Sequence, residues 1–290
     1  MKLIKRLSVF AFLLTLAAQA QQFQGVAYYQ TKTTVDLDNW GRGQFSEQQK
    51  KQIMERMKSM LEKTYTLTFT QSESLYKEDE KLEAPGQGGG FRGPMGSMGG
   101  GDLYKNIKDG QMLQEQEFFG KQFLVADSLA KLEWKMGTET KQIGQYTCFK
   151  ATAVKKVDAF DWRSMRRKPQ EEEKKEAEKA EDSAKAKDPM DEIEIPDEIT
   201  VTVWYTPQIP VSNGPAEYWG LPGLILEVNA DRTTILCSKI VMNPEEKEEI
   251  KKPSKGKEVT QEEYNQTVKE KIEEMREMYG GRGDRGGRRF

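Results

Sequence analysis

The side chains of this 290-residue chain with the clearest potential for chemistry carry sulfur. Three methionines follow one another at three-residue spacing, and two more lie in a glycine-rich stretch: Met54, Met57, Met60, Met95 and Met98. Thioethers are soft ligands that suit copper(I), and Cys148 and Cys237 would add sulfur. A methionine stripe at helical spacing more often packs in a core. We therefore expect no metal site and no cofactor, with copper(I) binding as a minor alternative.

The sequence contains no histidine. This absence removes Ser-His-Asp and Cys-His catalysis, histidine-ligated zinc and the most common general base. Carboxylates are plentiful, but only Glu217 and Glu227 lie in the turn-rich stretch at residues 213–228. Glu227 is expected to face solvent or to pair with an arginine. We therefore predict no catalytic residues and a protein that is not an enzyme.

The first twenty residues predict a secretory signal peptide that is cleaved before Gln21. Its basic region, apolar run and cleavage pattern are, in order, Lys2, Lys5 and Arg6, residues 7–17, and Ala18-Gln19-Ala20. No cysteine follows the cleavage site, so a lipid anchor is not expected, and no later apolar run is long enough to span a membrane. The mature chain is expected in the periplasm or cell envelope, or secreted.

Cleavage would remove three positive charges and shift the formal net charge from −2 to −5. A mildly acidic chain argues against nucleic acid as a partner. The Gly- and Arg-rich tail at 280–290 is predicted to be disordered. It offers weak contact with an anionic membrane surface through four arginines: Arg282, Arg285, Arg288 and Arg289. The triplet Arg282-Gly283-Asp284, which matches an adhesion motif, is treated as incidental.

The two cysteines would be exported together into a compartment where disulfides persist. If Phe149 and Ala151 face the core, Cys148 points away from it, whereas Cys237 is expected to face the core. A Cys148–Cys237 disulfide and two buried free thiols both remain compatible with the sequence.

The stretch from Asn213 to Val228 is the part of the chain around which the rest is organised. Its residues Leu221-Pro222-Gly223-Leu224 predict a type II turn, with Gly223 at the position that requires a positive φ. In the strand that follows, Leu224, Leu226 and Val228 are expected on one face, with Ile225 and Glu227 on the other.

Three aromatic residues are the candidate ligand-binding side chains. Tyr218 and Trp219 are held between two predicted turns, and Trp204 lies in the preceding strand. Such side chains offer large apolar surfaces with one polar atom, which suits an apolar ligand. The alternative is that these side chains simply plug one end of the sheet.

Several short motifs occur together in this part of the chain. They are Gly220-Leu221-Pro222-Gly223-Leu224-Ile225, Ile143-Gly144-Gln145-Tyr146-Thr147-Cys148-Phe149-Lys150-Ala151-Thr152, Val203-Trp204-Tyr205, Ile209-Pro210-Val211-Ser212 and Gly214-Pro215. In this order they resemble the GLPGLI family of secreted Bacteroidota proteins, over roughly residues 23 to 241. The resemblance implies an exported, β-rich protein without an assigned activity, and it brings no catalytic residues.

The predicted fold class is mainly β (α+β), a curved antiparallel sheet or half-barrel over residues 21–242. A capping box at Ser46 and Gln49 predicts helix 47–62, whose apolar stripe is expected to pack across the sheet. A Gly-rich loop (85–101) and a charged insertion (163–190) interrupt the domain, and the insertion is expected to be helical, as in a coiled coil, or disordered. A polar linker and a loosely docked C-terminal helix follow at 243–279.

These observations favour an exported, non-enzymatic envelope protein that binds an apolar ligand or an outer-membrane partner on the concave face of the sheet. The alternative is a structural adaptor that acts through the charged insertion and the C-terminal helix. An open apolar groove at Tyr218 and Trp219 would favour the first, and a filled core with exposed helices would favour the second.

Overall fold

The computed structural model describes residues 23–35, 46–79, 100–157, 164, 166–167 and 193–280. The predicted signal peptide and the tail beyond residue 280 lie outside these residues. So do Met95 and Met98, almost all of the Gly-rich loop, and the charged insertion apart from 164 and 166–167.

The described residues form two helices and fourteen strands. In chain order they are β1 (Gly25–Thr33), α1 (Glu47–Leu61), β2 (Glu62–Phe69), β3 (Glu73–Glu78), β4 (Leu103–Asn106), β5 (Gln111–Phe118), β6 (Lys121–Ser128), β7 (Lys135–Ile143), β8 (Tyr146–Lys156), β9 (Arg166–Arg167), β10 (Ile193–Glu194), β11 (Glu198–Thr206), β12 (Leu224–Ala230), β13 (Thr233–Met242), β14 (Lys257–Val259) and α2 (Gln261–Gly280).

Twelve of these strands make one open sheet in the order β14-β6-β5-β4-β3-β2-β1-β13-β12-β11-β8-β7, and β9 pairs with β10 separately. Neighbours in the large sheet are antiparallel except for β14, which runs parallel to β6. The mainly β, antiparallel prediction is therefore confirmed. Register shifts at Tyr28/Tyr29 and Trp204/Tyr205 interrupt the ladders, and irregularities of this kind bend and twist a sheet.

One face of the sheet, here called the inner face, carries Tyr29, Leu67 and Val203, which are 0% exposed. These side chains belong to the main core cluster. The register of the strands places Leu103 of β4, and its partner Gln114 of β5, on the inner face as well. A second cluster forms around β5, β6, β14 and α2 from Phe118, Phe123, Val125, Val259, Tyr264 and Val268. Met112 packs against both clusters and joins them.

Helix α1 begins with the predicted capping box, in which Ser46 and Gln49 satisfy each other's backbone N–H. Its packing differs from the expectation. Leu61 is the one buried residue of the helix, while Met54 and Met60 are each 37% exposed. Contact with the sheet is concentrated in the last turn, so the helix does not pack across the sheet. The methionine stripe is too weakly apolar to hold it there.

The C-terminal region is docked against the sheet. Residues 243–256, here called the strap, run along the end of the sheet: Gln24 Nε2 donates to the Glu248 carbonyl (2.6 Å) and Thr68 Oγ1 to Glu248 Oε2 (3.2 Å). Strand β14 then adds to the β6 edge. Helix α2 buries Tyr264 and Val268 against the second cluster, because its apolar stripe matches the apolar side chains of β5 and β6.

Candidate functional site

The turn-rich segment at residues 207–223, here called the plug, folds back between β11 and β12 and packs on the inner face. Ile209, Val211, Tyr218 and Leu221 are each 4% exposed or less and belong to the main cluster. The phenol of Tyr29 donates to the Ile225 carbonyl (2.7 Å), where the plug enters β12. The plug therefore supplies part of the core of the sheet.

Gly223 has a different role from the predicted one. The left-handed conformation is taken by Gly220 (φ 96°), and Gly223 is not among the glycines with positive φ. The Gly223 N–H instead bonds to the Leu221 carbonyl (2.8 Å), which closes a three-residue turn. A Cβ on Gly223 would lie 2.2 Å from the Thr206 carbonyl oxygen. Close backbone approach, not a type II turn, requires glycine here.

Of the predicted ligand-binding side chains, Tyr218 is only 4% exposed and is packed into the core. Trp219 is half-buried, and its indole N–H donates to the Ala130 carbonyl (2.8 Å). In return the Trp134 indole donates to the Trp219 carbonyl (2.8 Å). The two indoles tie the plug to the 130–134 connection, which corresponds to the predicted alternative of a plugged sheet.

Trp204 lies apart from these two aromatics, on the opposite face of β11 from Val203, because neighbouring side chains of a strand alternate. Lys141 Nζ lies 5.4 Å from the Trp204 ring centroid and 2.6 Å from Glu227 Oε2. Asn229 Nδ2 donates to the other Glu227 oxygen (2.9 Å). The structure thus does not bring Trp204 together with Tyr218 and Trp219.

Glu227 is 7% exposed and bonded to Lys141, so the expectation that it faces solvent or pairs with an arginine is wrong. Leu224, Ile225, Leu226 and Val228 of β12 are all at most 1% exposed. The strand is buried on both faces because the core covers one and the Lys141–Trp204 pair covers Glu227 on the other.

Lys105 is a buried group that the sequence reasoning did not single out. It is 0% exposed, and its Nζ donates to the carbonyls of Gly214 (2.7 Å) and Ala216 (2.7 Å) and lies 3.4 Å from that of Tyr218. Burial lowers the pKa of Lys105 to about 7, while Glu217 acts in the opposite direction. The sequence does contain one signal for this burial: Lys105 lies two residues after Leu103 in the same strand, so its side chain points to the same face as that leucine.

Two further contacts hold the plug. Ser74, the register partner of Lys105, donates to Asn213 Oδ1 (3.2 Å), and both residues are 0% exposed. Asn213 Nδ2 has no partner within the described residues. On the other side Lys155 Nζ bonds to Glu217 Oε1 (2.6 Å) and lies 5.9 Å from the Tyr218 ring centroid. Two lysine side chains, Lys105 from β4 and Lys155 from β8, therefore contact residues 213–218.

Cys148 and Cys237 are free thiols and both are buried, so of the two alternatives left open by the sequence the structure shows the free thiols and not the disulfide. They lie on β8 and β13, which are separated by β11 and β12. Burial is the main cause that raises the pKa of Cys148 to about 11 and that of Cys237 to about 12. Thiols of this kind carry little thiolate at neutral pH and are poor nucleophiles and metal ligands.

The sulfur ligands of the copper(I) alternative are not brought together. Met54, Met57 and Met60 lie on α1 beside β1 and β2, whereas Cys148 lies on β8, which is separated from β1 by three strands. The described residues contain no group of three or more Cys, Asp or Glu side chains placed to hold a metal ion. Within those same residues, no helix has the length and apolarity needed to cross a membrane.

Comparison with known proteins gives one family model that matches part of the chain. Residues 134–227 match the model of a family described as "Protein of unknown function (Porph_ging)", which is associated with Bacteroidota. The match covers β7, β8, β11, the plug and the first residues of β12. No curated protein matches the chain.

Two solved structures are similar to this chain, both titled as structures of PNGF-II, in space groups C2 and P21. They are 14% and 15% identical over 85% and 84% of this chain, each with a TM-score of 0.45. The chain spans 32% of the length of each of those proteins. Similarity at this level supports no inference about activity.

Proposed function

We propose that this chain is an exported, non-enzymatic adaptor that contacts another envelope protein through its surface, rather than a carrier of an apolar ligand. One observation carries the proposal: the inner face of the sheet, where a ligand was expected, is covered by the chain's own plug, and Tyr218 is 4% exposed. A sheet whose concavity is filled with close-packed side chains leaves little volume for a ligand. We also propose that the open sheet curves around the plug as a half-barrel.

Export is proposed from the signal peptide at residues 1–20, and membership of the GLPGLI family from the hexapeptide Gly220–Ile225. The family match at 134–227 includes this hexapeptide, which supports the assignment. The absence of histidine from the whole sequence supports the non-enzymatic part of the proposal.

The proposed contact surface is the distal half of α2, together with the charged insertion. The apolar stripe of α2 begins with the buried Tyr264 and Val268 and continues past the second cluster. Ile272 still packs against that cluster, Met275 is half-buried, and Met278 is 63% exposed. A helix that covers the sheet with its first half and presents apolar groups on its second half suits a groove on a partner.

Site-specific photo-crosslinking in the native envelope tests this surface. A photoreactive residue is placed at Met278 and, in a matched control, at Met136, which is 62% exposed on β7. The proposal expects one discrete protein adduct from position 278 and none from position 136. Equal labelling at both positions, or none at 278, would contradict it.

A second candidate, binding of an amphipathic ligand, is favoured by one cavity. About 490 Å³ of space lies between α1 and the end of β1. Its lining combines aliphatic groups with three lysines and two glutamates, and Glu62 pairs with Lys32 and Lys58: Lys32, Thr33, Thr34, Val35, Lys51, Met54, Glu55, Lys58, Leu61 and Glu62. Such a cavity suits a short acyl chain with an anionic head. Saturable binding of a fluorescent fatty acid that is lost in Lys51→Glu/Lys58→Glu, and retained in Lys121→Glu, would establish it.

A further inference from the structure

Asn213 and Gly214 of the plug form the one Asn-Gly dipeptide in the sequence. Asn213 is 0% exposed, and its side chain folds back on the next residue, so that the Gly214 N–H donates to Asn213 Oδ1 (2.9 Å). Since a C=O bond is about 1.23 Å long, Asn213 Cγ lies no more than about 4.1 Å from the Gly214 nitrogen. A side-chain carbonyl carbon and a backbone nitrogen are therefore held next to each other.

The two polar atoms of the Asn213 side chain differ in how well they are satisfied. Oδ1 accepts from the Gly214 N–H and from the Ser74 hydroxyl (3.2 Å), whereas Nδ2 has no partner within the described residues. A buried donor without an acceptor destabilises the folded state. A reaction that removes Nδ2 from the site would remove this penalty.

We propose that Asn213-Gly214 is a self-modifying site, at which the folded chain forms a succinimide, a five-membered imide ring. The Gly214 nitrogen bonds to Asn213 Cγ, the bond between Cγ and Nδ2 breaks, and Nδ2 leaves as ammonia with the proton of the Gly214 N–H. The step needs no oxidant or cofactor. The Ser74 hydroxyl stabilises the negative charge that develops on Oδ1 during the attack. This modification is independent of the proposed adaptor function.

The contacts around the dipeptide suit the product as well as the reactant. The two imide oxygens are Oδ1 and the backbone oxygen of Asn213, and each already has a donor: Ser74 Oγ for the first and the Ile225 N–H (3.0 Å) for the second. The ring has no N–H, so no donor is left without an acceptor. Hydrolysis of an imide needs water, and a position that is 0% exposed keeps water away, so the ring is expected to persist.

Gly214 is also held from the side opposite Asn213. Lys105 Nζ donates to the Gly214 carbonyl (2.7 Å). A Cβ at position 214 would lie 2.8 Å from Ile225 Cβ and 2.9 Å from the Tyr218 carbonyl oxygen, so the packing requires glycine, and the same lack of a side chain leaves the nitrogen open to Cγ. The ring would fix the backbone of Asn213 and stiffen the plug where it meets β3 and β4.

Peptide mapping of the mature chain, digested with pepsin at acidic pH to preserve imides, tests the proposal. The peptide that contains Asn213 and Gly214 is expected to be lighter than its sequence by one molecule of ammonia, and its hydrolysis in H₂¹⁸O should add one ¹⁸O atom. The imide is part of the polypeptide, so this difference persists on denaturation, unlike the mass of a bound ligand. An intact asparagine amide, or a mixture of aspartate and isoaspartate at position 213 of the folded protein, would overturn the proposal.

Variants test the role assigned to Ser74. Ser74→Ala removes the hydroxyl donor, and newly synthesised protein is expected to form the imide about tenfold more slowly, the factor that one hydrogen bond of ordinary strength gives. Ser238→Ala is the matched control, because that exposed hydroxyl bonds to the Tyr28 carbonyl (3.2 Å) and should leave the rate unchanged. Equal rates in wild type and Ser74→Ala would overturn the role of Ser74. If Ser74→Ala does not fold, the wild-type peptide map alone decides.

Discussion

Two covers lie on the inner face of the sheet, and they are held by different kinds of contact. The plug is an irregular segment fixed by buried polar groups: Lys105 and Ser74 bond to it at sites that are 0% exposed. Helix α2 is a regular element held mainly by apolar side chains of the second cluster, such as Phe123 and Val268. Buried hydrogen bonds specify one geometry, whereas apolar contact between helix and sheet tolerates change.

The plug and α2 also differ in how the chain connects each of them to the sheet. The plug joins two interior strands of the sheet, β11 and β12, so it cannot leave without disturbing strands that are paired on both sides. Helix α2 follows the polar strap and the three-residue edge strand β14, and its cluster touches the main core through Met112. We therefore expect the plug to unfold with the whole domain and α2 to detach on its own.

The largest expected effect is at Gly223 in the plug. Gly223→Ala would place a Cβ 2.2 Å from the Thr206 carbonyl, so backbone must move. We expect a loss of about 3–5 kcal/mol in the free energy of unfolding, measured by urea denaturation. Gly144→Ala is the control: Gly144 has φ 57° but no atom within 4 Å of its added Cβ, and we expect a loss of about 1–2 kcal/mol. Equal losses would refute the close-approach explanation.

The second-largest effect is expected at Tyr264 in α2, the second of the two covers. Tyr264→Ala removes a buried ring that packs edge-on to Phe123 and Phe118. We expect about 3 kcal/mol less stability for the docking of α2, seen as faster hydrogen exchange throughout α2 with little change in β1 or β12. Met278→Ala, on the exposed end of the helix, should leave exchange unchanged. Global unfolding in Tyr264→Ala would show that the two covers are not independent.

A smaller effect is a pH dependence that arises from the core rather than from either cover. The folded-state pKa of Cys237 is raised to about 12 from its ordinary value of 9.0. Between pH 9 and 11 the unfolded thiol loses its proton while the folded one keeps it, so stability falls as pH rises. The slope for this group is at most about 1.4 kcal/mol per pH unit. Denaturation of wild type and Cys237→Ala across this range should show a shallower decline in the variant, and identical slopes would contradict the assignment.

The smallest effect is expected outside both covers, at Glu227. Glu227→Gln weakens the contact with Lys141 but keeps the side-chain volume, so a loss of about 1 kcal/mol is expected. It should be accompanied by a change in Trp204 fluorescence, because Lys141 lies over that ring. Glu139→Gln breaks a more exposed pair with Lys150 (2.8 Å) and should cost less than about 0.5 kcal/mol. A larger loss of stability for Glu139→Gln than for Glu227→Gln would contradict the argument that the more buried ion pair contributes more stability.

The features predicted correctly from sequence depend on neighbouring residues. The capping box at Ser46, which was predicted, is a local pattern, and a box of the same kind begins α2, where Thr260 and Glu263 exchange hydrogen bonds of 2.9 and 3.1 Å. The antiparallel sheet follows from many short strands with turns between them.

The features that were missed depend on residues far apart in the chain. Lys105 meets Gly214 across 109 positions, and no local pattern signals that contact. The same holds for the strap, where Gln24 meets Glu248 across 224 positions. Glu227 was predicted to face solvent or to pair with an arginine, because strand alternation alone does not show that Lys141, on β7, reaches over it. Local sequence patterns therefore predicted helices and strands, whereas the packing of the plug and of α2 on the sheet depends on contacts that only the tertiary structure shows.

The central claim is that the chain fills its own sheet and carries no ligand there. Native mass spectrometry of the mature chain, purified gently from its own cell envelope and compared with a denaturing run, tests it most directly. The account predicts the bare polypeptide mass in both runs, with the two thiols reduced. A stoichiometric mass that is released on denaturation, and that is still bound in Lys51→Glu/Lys58→Glu, would contradict it, because that ligand would have to occupy the inner face.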